Sequence, residues 1–266
     1  MKTLIYNKEG KKSKEIELPS FFSEKIREDI VAKVLEVKKI KQPYSPSPVA
    51  GKQHSASGNI QHTRSVWKTM QGKGISRIPR KIMSRRGSQF NWEGAEIPNT
   101  KGGRRAHPPK IESMINTKKV NKKEMLIAIK SALSATADKK LIIEKYESLK
   151  DKKLDINFPI IIESSILKLK IKEFQSLLKN ILGNDLFEIG IRKKKVRAGK
   201  GKLRGRRYKR NAGLLLVIGK GEEFKTGLFE IKKSNSLNVT DLAKGGLGRL
   251  VIFSEEAIKE LEERIK

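Results

Sequence analysis

Cysteine is absent from the 266 residues. Its absence excludes disulfides and thiolate metal sites and fits a reducing compartment. Histidine occurs only at His54, His62 and His107, each without a carboxylate at metal-ligand spacing, so no metal site is expected. No apolar run reaches the roughly 18 residues that a membrane-crossing helix needs, and no membrane partner is expected. The opening MKTLIYNKEGKKSKE turns charged within a few residues, unlike a secretory leader. Catalytic motifs are also missing. The six Gly-Lys pairs are followed by Lys12, Gln53, Gly74, Gly201, Leu203 and Gly221, never by Ser or Thr, so there is no phosphate-binding P-loop. GGLGRL (Gly245–Leu250) precedes an apolar strand, the wrong side for a dinucleotide-binding turn. G-x-S-x-G does not occur. No catalytic residue and no cofactor are therefore expected. The alternative, an α/β nucleotide-dependent or RNA-modifying enzyme with basic RNA-binding arms, would need a phosphate loop or an acid–base pair, and neither is visible.

Acid is scarce as well. Sixty Lys and Arg stand against 29 Asp and Glu, a formal charge of +31. Such an excess repels itself in a compact state, and a polyanion is its natural partner. The charge is concentrated. Residues 42–110 hold 13 Lys and Arg and two acids, and residues 192–210 hold 12 Lys and Arg and no acid. These two segments carry +11 and +12, which leaves +8 for the other 178 residues.

Residues 42–110 also hold seven of the nine prolines, eight glycines, both tryptophans and all three histidines. Within them VWKTMQGKGISRIPRKIMSRRG (Val66–Gly87) shows neither helical nor strand period. Composition alone would suit a linker. However, Trp67, Phe90 and Trp92 are costly to leave in water, and single arginines alternate with glycines. Glycine lets backbone approach phosphate closely, arginine bridges phosphates, and aromatics fill gaps between unstacked bases. The segment is therefore expected to be an irregular extended loop that orders against RNA. Its candidate RNA contacts are Arg64, Trp67, Lys68, Lys73, Arg77, Arg80, Lys81, Arg85, Arg86, Arg104 and Arg105.

The rest is patterned. KTLIY and KEIEL (Lys14–Leu18) predict two strands joined by a turn. Phe22, Ile26, Ile30, Val34 and Val37 predict an amphipathic helix over about 21–39, with Ser20 as its N-cap. A helix from Asn121 carries a possible capping box with Glu124. Its apolar face would be Met125, Leu126, Ile129, Ala132 and Leu133. Leu141–Leu149 predicts a short helix, Phe158–Ser164 a buried strand, and the following apolar pattern a helix ending at Gly183. Asp185–Ile191, Gly213–Gly219, Gly227–Lys233 and Gly248–Ser254 predict strands. Ser254 would cap a terminal helix with Glu255 and Glu256 in its first turn, where the helix dipole favours anions. This alternation implies an α/β class: a single globular domain, residues 1–41 and 111–266, with a mostly parallel sheet flanked by helices.

RKKKVRAGKGKLRGRRYKR (residues 192–210) is then a basic loop joining two strands. Its glycines suit tight turns, and anchored ends would make it a positioned phosphate-binding surface. Candidate contacts are Arg192, Lys193, Lys194, Lys195, Arg197, Lys200, Lys202, Arg204, Arg206, Arg207, Lys209 and Arg210, with Tyr208 available to stack on a base.

KVRAGKGKLRGRRYKRNAGLLLVIG (Lys195–Gly219) strongly resembles the archaeal and eukaryotic type of the family of the fourth universal large-subunit ribosomal protein. KKEMLIAIKSALSAT (Lys122–Thr136), WKTMQGKGISRIPR (Trp67–Arg80) and NTKGGRRAHPPK (Asn99–Lys110) resemble that family's helix, loop tip and returning arm, in order. The resemblance implies a structural protein of the large ribosomal subunit, in the cytoplasm. Its expected partners are large-subunit rRNA and neighbouring ribosomal proteins, with no homo-oligomer. It further implies a long loop threading through the rRNA to line the nascent-peptide exit tunnel. The tip would be Met70, Gln71, Gly72, Lys73, Gly74 and Arg77, close to the nascent peptide. If residues 42–110 run out and back, half of them at ~3.3 Å each reach at most about 115 Å.

Overall fold

Three short apolar runs form the centre of the sheet: β5 (Ile160–Ile162), β8 (Leu215–Ile218) and β10 (Val251–Ser254), with every residue buried. The computed structural model describes residues 2–39, 72, 74–76, 78–95, 97–101, 103, 107, 115–150, 152, 154 and 156–265. Its contacts divide the chain into two units, Met1–Lys39 with Lys119–Lys266, and Ile40–Lys118.

In the larger unit the central strands are joined by β1 (Lys2–Tyr6), β2 (Lys12–Glu17) and β9 (Glu230–Lys233). The spatial order is β2-β1-β5-β10-β8-β9. Only β1 with β2 is antiparallel; the other neighbours run parallel. The fold is therefore a mixed α/β fold with a mostly parallel sheet, as the alternation of apolar strands and helices predicts. A parallel sheet buries both faces. Here Ile161, Leu215, Val217, Val251 and Phe253 point into one core, and Ile160, Ile162, Leu216, Ile218 and Ile252 into the other.

Helices cover both cores. α1 (Glu28–Lys39), α2 (Lys122–Ala137), α5 (Val239–Leu242) and α6 (Glu255–Ile265) supply Val31, Val34, Ala128, Leu133, Val239, Leu242, Ile258 and Leu261 to the first. α3 (Lys139–Lys145) and α4 (Ile171–Gly190) supply Ile142, Phe174, Leu178 and Leu186 to the second. The capping box of α2 is present, with Asn121 and Glu124 bonded to each other's backbone. Ser254 caps α6, its Oγ accepting from the Ala257 N–H at 3.2 Å.

Several expectations are corrected. Ser20 does not cap α1. It opens a 3-10 turn, Ser20–Phe22, and α1 begins at Glu28. That turn lets the adjacent Phe21 and Phe22 both enter the core, where Phe22 meets Phe253 edge-on at 5.6 Å. On α2 Leu126 is exposed, and Ala128, Ala132 and Leu133 form the buried stripe. Asp185–Ile191 is not a strand: Asp185–Gly190 forms the last turns of α4, and Ile191 is its C-cap. The predicted helix end at Gly183 is a kink, with φ 70° and ψ 173°, after which the helix resumes. Leu182, Leu186 and Gly190 are buried at a spacing of four, which satisfies helix rather than strand. The basic run therefore joins α4 to β8, not one strand to another.

In the smaller unit, part of the segment expected to be irregular is a hairpin, β3 (Arg80–Arg86) with β4 (Gln89–Gly94). Arg86 pairs with Gln89 across Gly87 and Ser88, and Gly87 adopts φ 59°. Such a left-handed residue suits a two-residue hairpin turn. In the sequence β4 alternates, with Phe90 and Trp92 between Gln89, Asn91 and Glu93, whereas β3 is basic and sets its apolar residues Ile82 and Met83 side by side.

Candidate nucleic-acid interface

The basic run folds into its own two-stranded ribbon, β6 (Lys194–Val196) with β7 (Tyr208–Arg210). All residues of both strands are exposed. The connection is built from glycine and arginine. A 3-10 turn spans Lys200–Arg204, and Gly205 closes it at φ 76°, donating its N–H to the Gly201 carbonyl. The Arg206 N–H reaches the same carbonyl at 3.1 Å. Arg197 folds over the turn, its Nε donating to the Arg206 carbonyl at 3.0 Å. A Cβ on Gly201 would lie 2.8 Å from Arg197 Cδ, so glycine there lets the guanidinium close over the backbone. Leu203, at the tip, is 81 % exposed. The Lys194 ammonium lies 3.8 Å from the centre of the Tyr208 ring. A cation thus attends Tyr208, the residue expected to be free for stacking.

The base of the ribbon is clamped. Asn211 accepts the Lys193 N–H at 2.8 Å and donates to the Ile189 and Ile191 carbonyls at 3.2 and 2.8 Å. Leu214 N–H donates to Gly190 O at 2.8 Å, so the two ends meet. The Arg192 N–H donates to the Leu228 carbonyl at 2.7 Å, and its guanidinium lies 3.5 Å from Glu230. Arg249 is fully buried beneath this base. It donates to the carbonyls of Gly213, Asp241 and Ala212 at 3.2, 2.6 and 2.6 Å and to Glu230 at 2.7 Å. Lys244 also pairs with Glu230. Burial raises the Glu230 pKa, but hydrogen bonds from Lys244 and Arg249 and their charges outweigh it, and the net shift is downward. Neither Glu230, Arg249 nor Asn211 was a sequence candidate. The available signal was Arg249 itself, a lone charge at the head of the apolar run LVIF.

In the smaller unit, Arg80, Lys81, Arg85 and Arg86 share β3. Arg80 donates to the Ser76 carbonyl at 2.7 Å and Arg85 to the Gly87 carbonyl at 2.9 Å. Gly72 and Gly74 both adopt positive φ, 74° and 66°, with open space around them. Arg64, Trp67, Lys68, Met70, Gln71, Lys73, Arg77, Arg104 and Arg105 lie outside the described residues, as do His54 and His62. Among the described residues no group of His, Cys, Asp or Glu could hold a metal ion, and no helix is long and apolar enough to cross a membrane.

Residues 16–264 match the model of a family described as "Ribosomal protein L4/L1 family". The chain belongs to that family. Its members are structural proteins of the ribosome, not enzymes. The chain is 39 % identical to the large ribosomal subunit protein uL4 of Nanoarchaeum equitans, over 99 % of this chain and 98 % of that one. It is 34 % identical to the uL4 of Methanocaldococcus jannaschii over the full length of both. It is also 34 % identical to the uL4 of Saccharolobus islandicus, over 99 % of this chain and 94 % of that one. These relatives agree with the archaeal type that the basic run and the α2 helix resemble, and the family makes the chain a structural constituent of the large ribosomal subunit. The acid-free ribbon therefore belongs to a ribosomal protein, whose natural polyanion is RNA.

Proposed function

We propose that the chain anchors itself in the cytoplasmic large subunit by binding rRNA through the β6–β7 ribbon and through residues 42–110. The globular part would be residues 1–41 and 111–266, with neighbouring ribosomal proteins beside it. The observation that carries the reading is a ribbon of basic residues, free of acid and exposed throughout, on a clamped base. Phosphate contacts by such a ribbon release counterions, and the clamp keeps the cations in register. In the second segment Arg64, Trp67, Lys68, Arg80, Lys81, Arg85, Arg86, Arg104 and Arg105 would hold the stem in rRNA. Met70, Gln71, Gly72, Lys73, Gly74 and Arg77 would face the nascent peptide. The positive φ of Gly72 and Gly74 supports a sharp reversal there.

The test is a salt titration of full-chain binding to deproteinised large-subunit rRNA. Replacing Arg204, Arg206, Arg207 and Arg210 by Ala should weaken binding and flatten the log–log salt slope by roughly one unit per lost phosphate contact. Replacing the exposed Lys8, Lys12, Lys14 and Lys172 should do less. Equal effects from both sets would reduce the reading to nonspecific charge.

A further inference from the structure

We propose that the β6–β7 ribbon holds two RNA backbones at once, one against each face, by different chemistry. The proposal rests on the RNA-binding reading above and adds to it what each face recognises. In an antiparallel ribbon, residues paired across the strands share a face, and successive pairs alternate between faces. Lys194 pairs with Arg210, Lys195 with Lys209, and Val196 with Tyr208. Lys194, Val196, Tyr208 and Arg210 therefore share one face, and the Lys194 ammonium over the Tyr208 ring reports the same grouping; the Arg207 guanidinium reaches round the ribbon edge to 5.8 Å from that ring. Lys195 and Lys209 occupy the other. The next pair extends it, the Arg197 N–H donating to the Arg207 carbonyl at 2.8 Å. One face thus carries only cations. The other sets two cations around Val196 and Tyr208, which are 58 % and 43 % exposed.

A ribbon beside a domain would ordinarily bury one face against it. Here both strands are exposed along their whole length, so neither face is taken by the fold. The clamped base holds the ribbon in place without covering it. A face of lysine and arginine alone fits phosphate oxygens, as point charges and forks. A face with an aromatic ring and an aliphatic side chain between cations fits an RNA segment whose base planes and riboses are accessible, an unstacked single strand. The ribbon's own backbone separates the two faces, so one RNA strand cannot satisfy both.

The experiment is hydroxyl-radical footprinting of deproteinised large-subunit rRNA with the full chain and two variants. K195A/K209A should lose one protected stretch and flatten the salt slope by roughly 1.5 units, at about 0.7–0.9 per contact. V196S/Y208A should lose a different stretch, with affinity weakened on the order of 10-fold and little change in slope. K195R/K209R should retain the first stretch, which separates charge from folding. Loss of the same nucleotides in both variants would overturn the two-faced arrangement and leave the RNA reading standing. Absence of any protection by the unaltered chain would overturn the RNA reading itself.

Discussion

Arg249 has no exposed surface, yet its guanidinium is satisfied by three carbonyls and the Glu230 carboxylate. Removing one partner from such a buried set leaves the others desolvated and unpaired, which typically costs about 3–5 kcal/mol. Arg249→Ala is expected to lose stability of that order in urea unfolding; a loss within the error of the extrapolation would show that water replaces the guanidinium. Lys145 lies nearby and donates to the Gly246 carbonyl at 2.7 Å. Burial, and secondly the charge of Arg249, push its pKa from the ordinary 10.5 down to about 7. The folded chain thus binds this proton less tightly than the unfolded chain. Between those two values the unfolded state holds more protons, so stability rises with pH across the window, and the penalty is full below it. Lys145→Met is expected to remove that rise. Thermal unfolding of both proteins from about pH 7 to about pH 10 checks it, and parallel curves would mean an ordinary lysine.

At the scale of elements, Asn211 ties the start of the ribbon to the end of α4 with three hydrogen bonds. Asn211→Ala leaves the Lys193 N–H and two carbonyls to find other partners, at about 1–3 kcal/mol for an unsatisfied group. Amide exchange at Lys194–Val196 should quicken, and rRNA affinity should fall although Asn211 carries no charge. Unchanged exchange would mean that the strand pairing alone holds the ribbon. The sheet was legible in the sequence because Ile160–Ile162, Leu215–Ile218 and Val251–Phe253 are apolar throughout. The α2 capping box was legible from Asn121 and Glu124 alone. Asp185–Ile191 was not, since a short apolar run after a glycine suits a strand as well as the end of a helix, and the burial of Leu186 and Gly190 decided it. The β3–β4 hairpin was missed because β3 is basic, with its apolar Ile82 and Met83 side by side, although Gln89–Glu93 alternates and Gly87-Ser88 is a recognisable turn signal. The charge of the candidate interface was plain from composition. Its clamp was not, because Asn211, Glu230 and Arg249 come from separate parts of the sequence and meet only in the fold.

At the scale of the whole molecule, two segments hold +23 of the +31 charge, so the proposed attachment and the proposed tunnel lining should be separable. Met70–Pro79 contains only Lys73 and Arg77 of that charge. Its deletion is expected to leave the protein in purified large subunits while altering pausing on arrest peptides and sensitivity to tunnel-binding antibiotics. Loss of the protein from the particles, or pausing and sensitivity both unchanged, would place the tip elsewhere.

The ribbon leaves and re-enters the larger unit at one point, where Leu214 N–H meets Gly190 O at 2.8 Å. A segment whose two roots touch can change length with little consequence for the body that carries it. Doubling a flexible loop adds only about 0.6 kcal/mol of closure entropy. The outgrowth is therefore an interchangeable part. Insertions, trims or grafts between residues 197 and 207 should be tolerated by the sheet, and natural variation in ribbon length can follow changes in the surrounding RNA without redesign of the core.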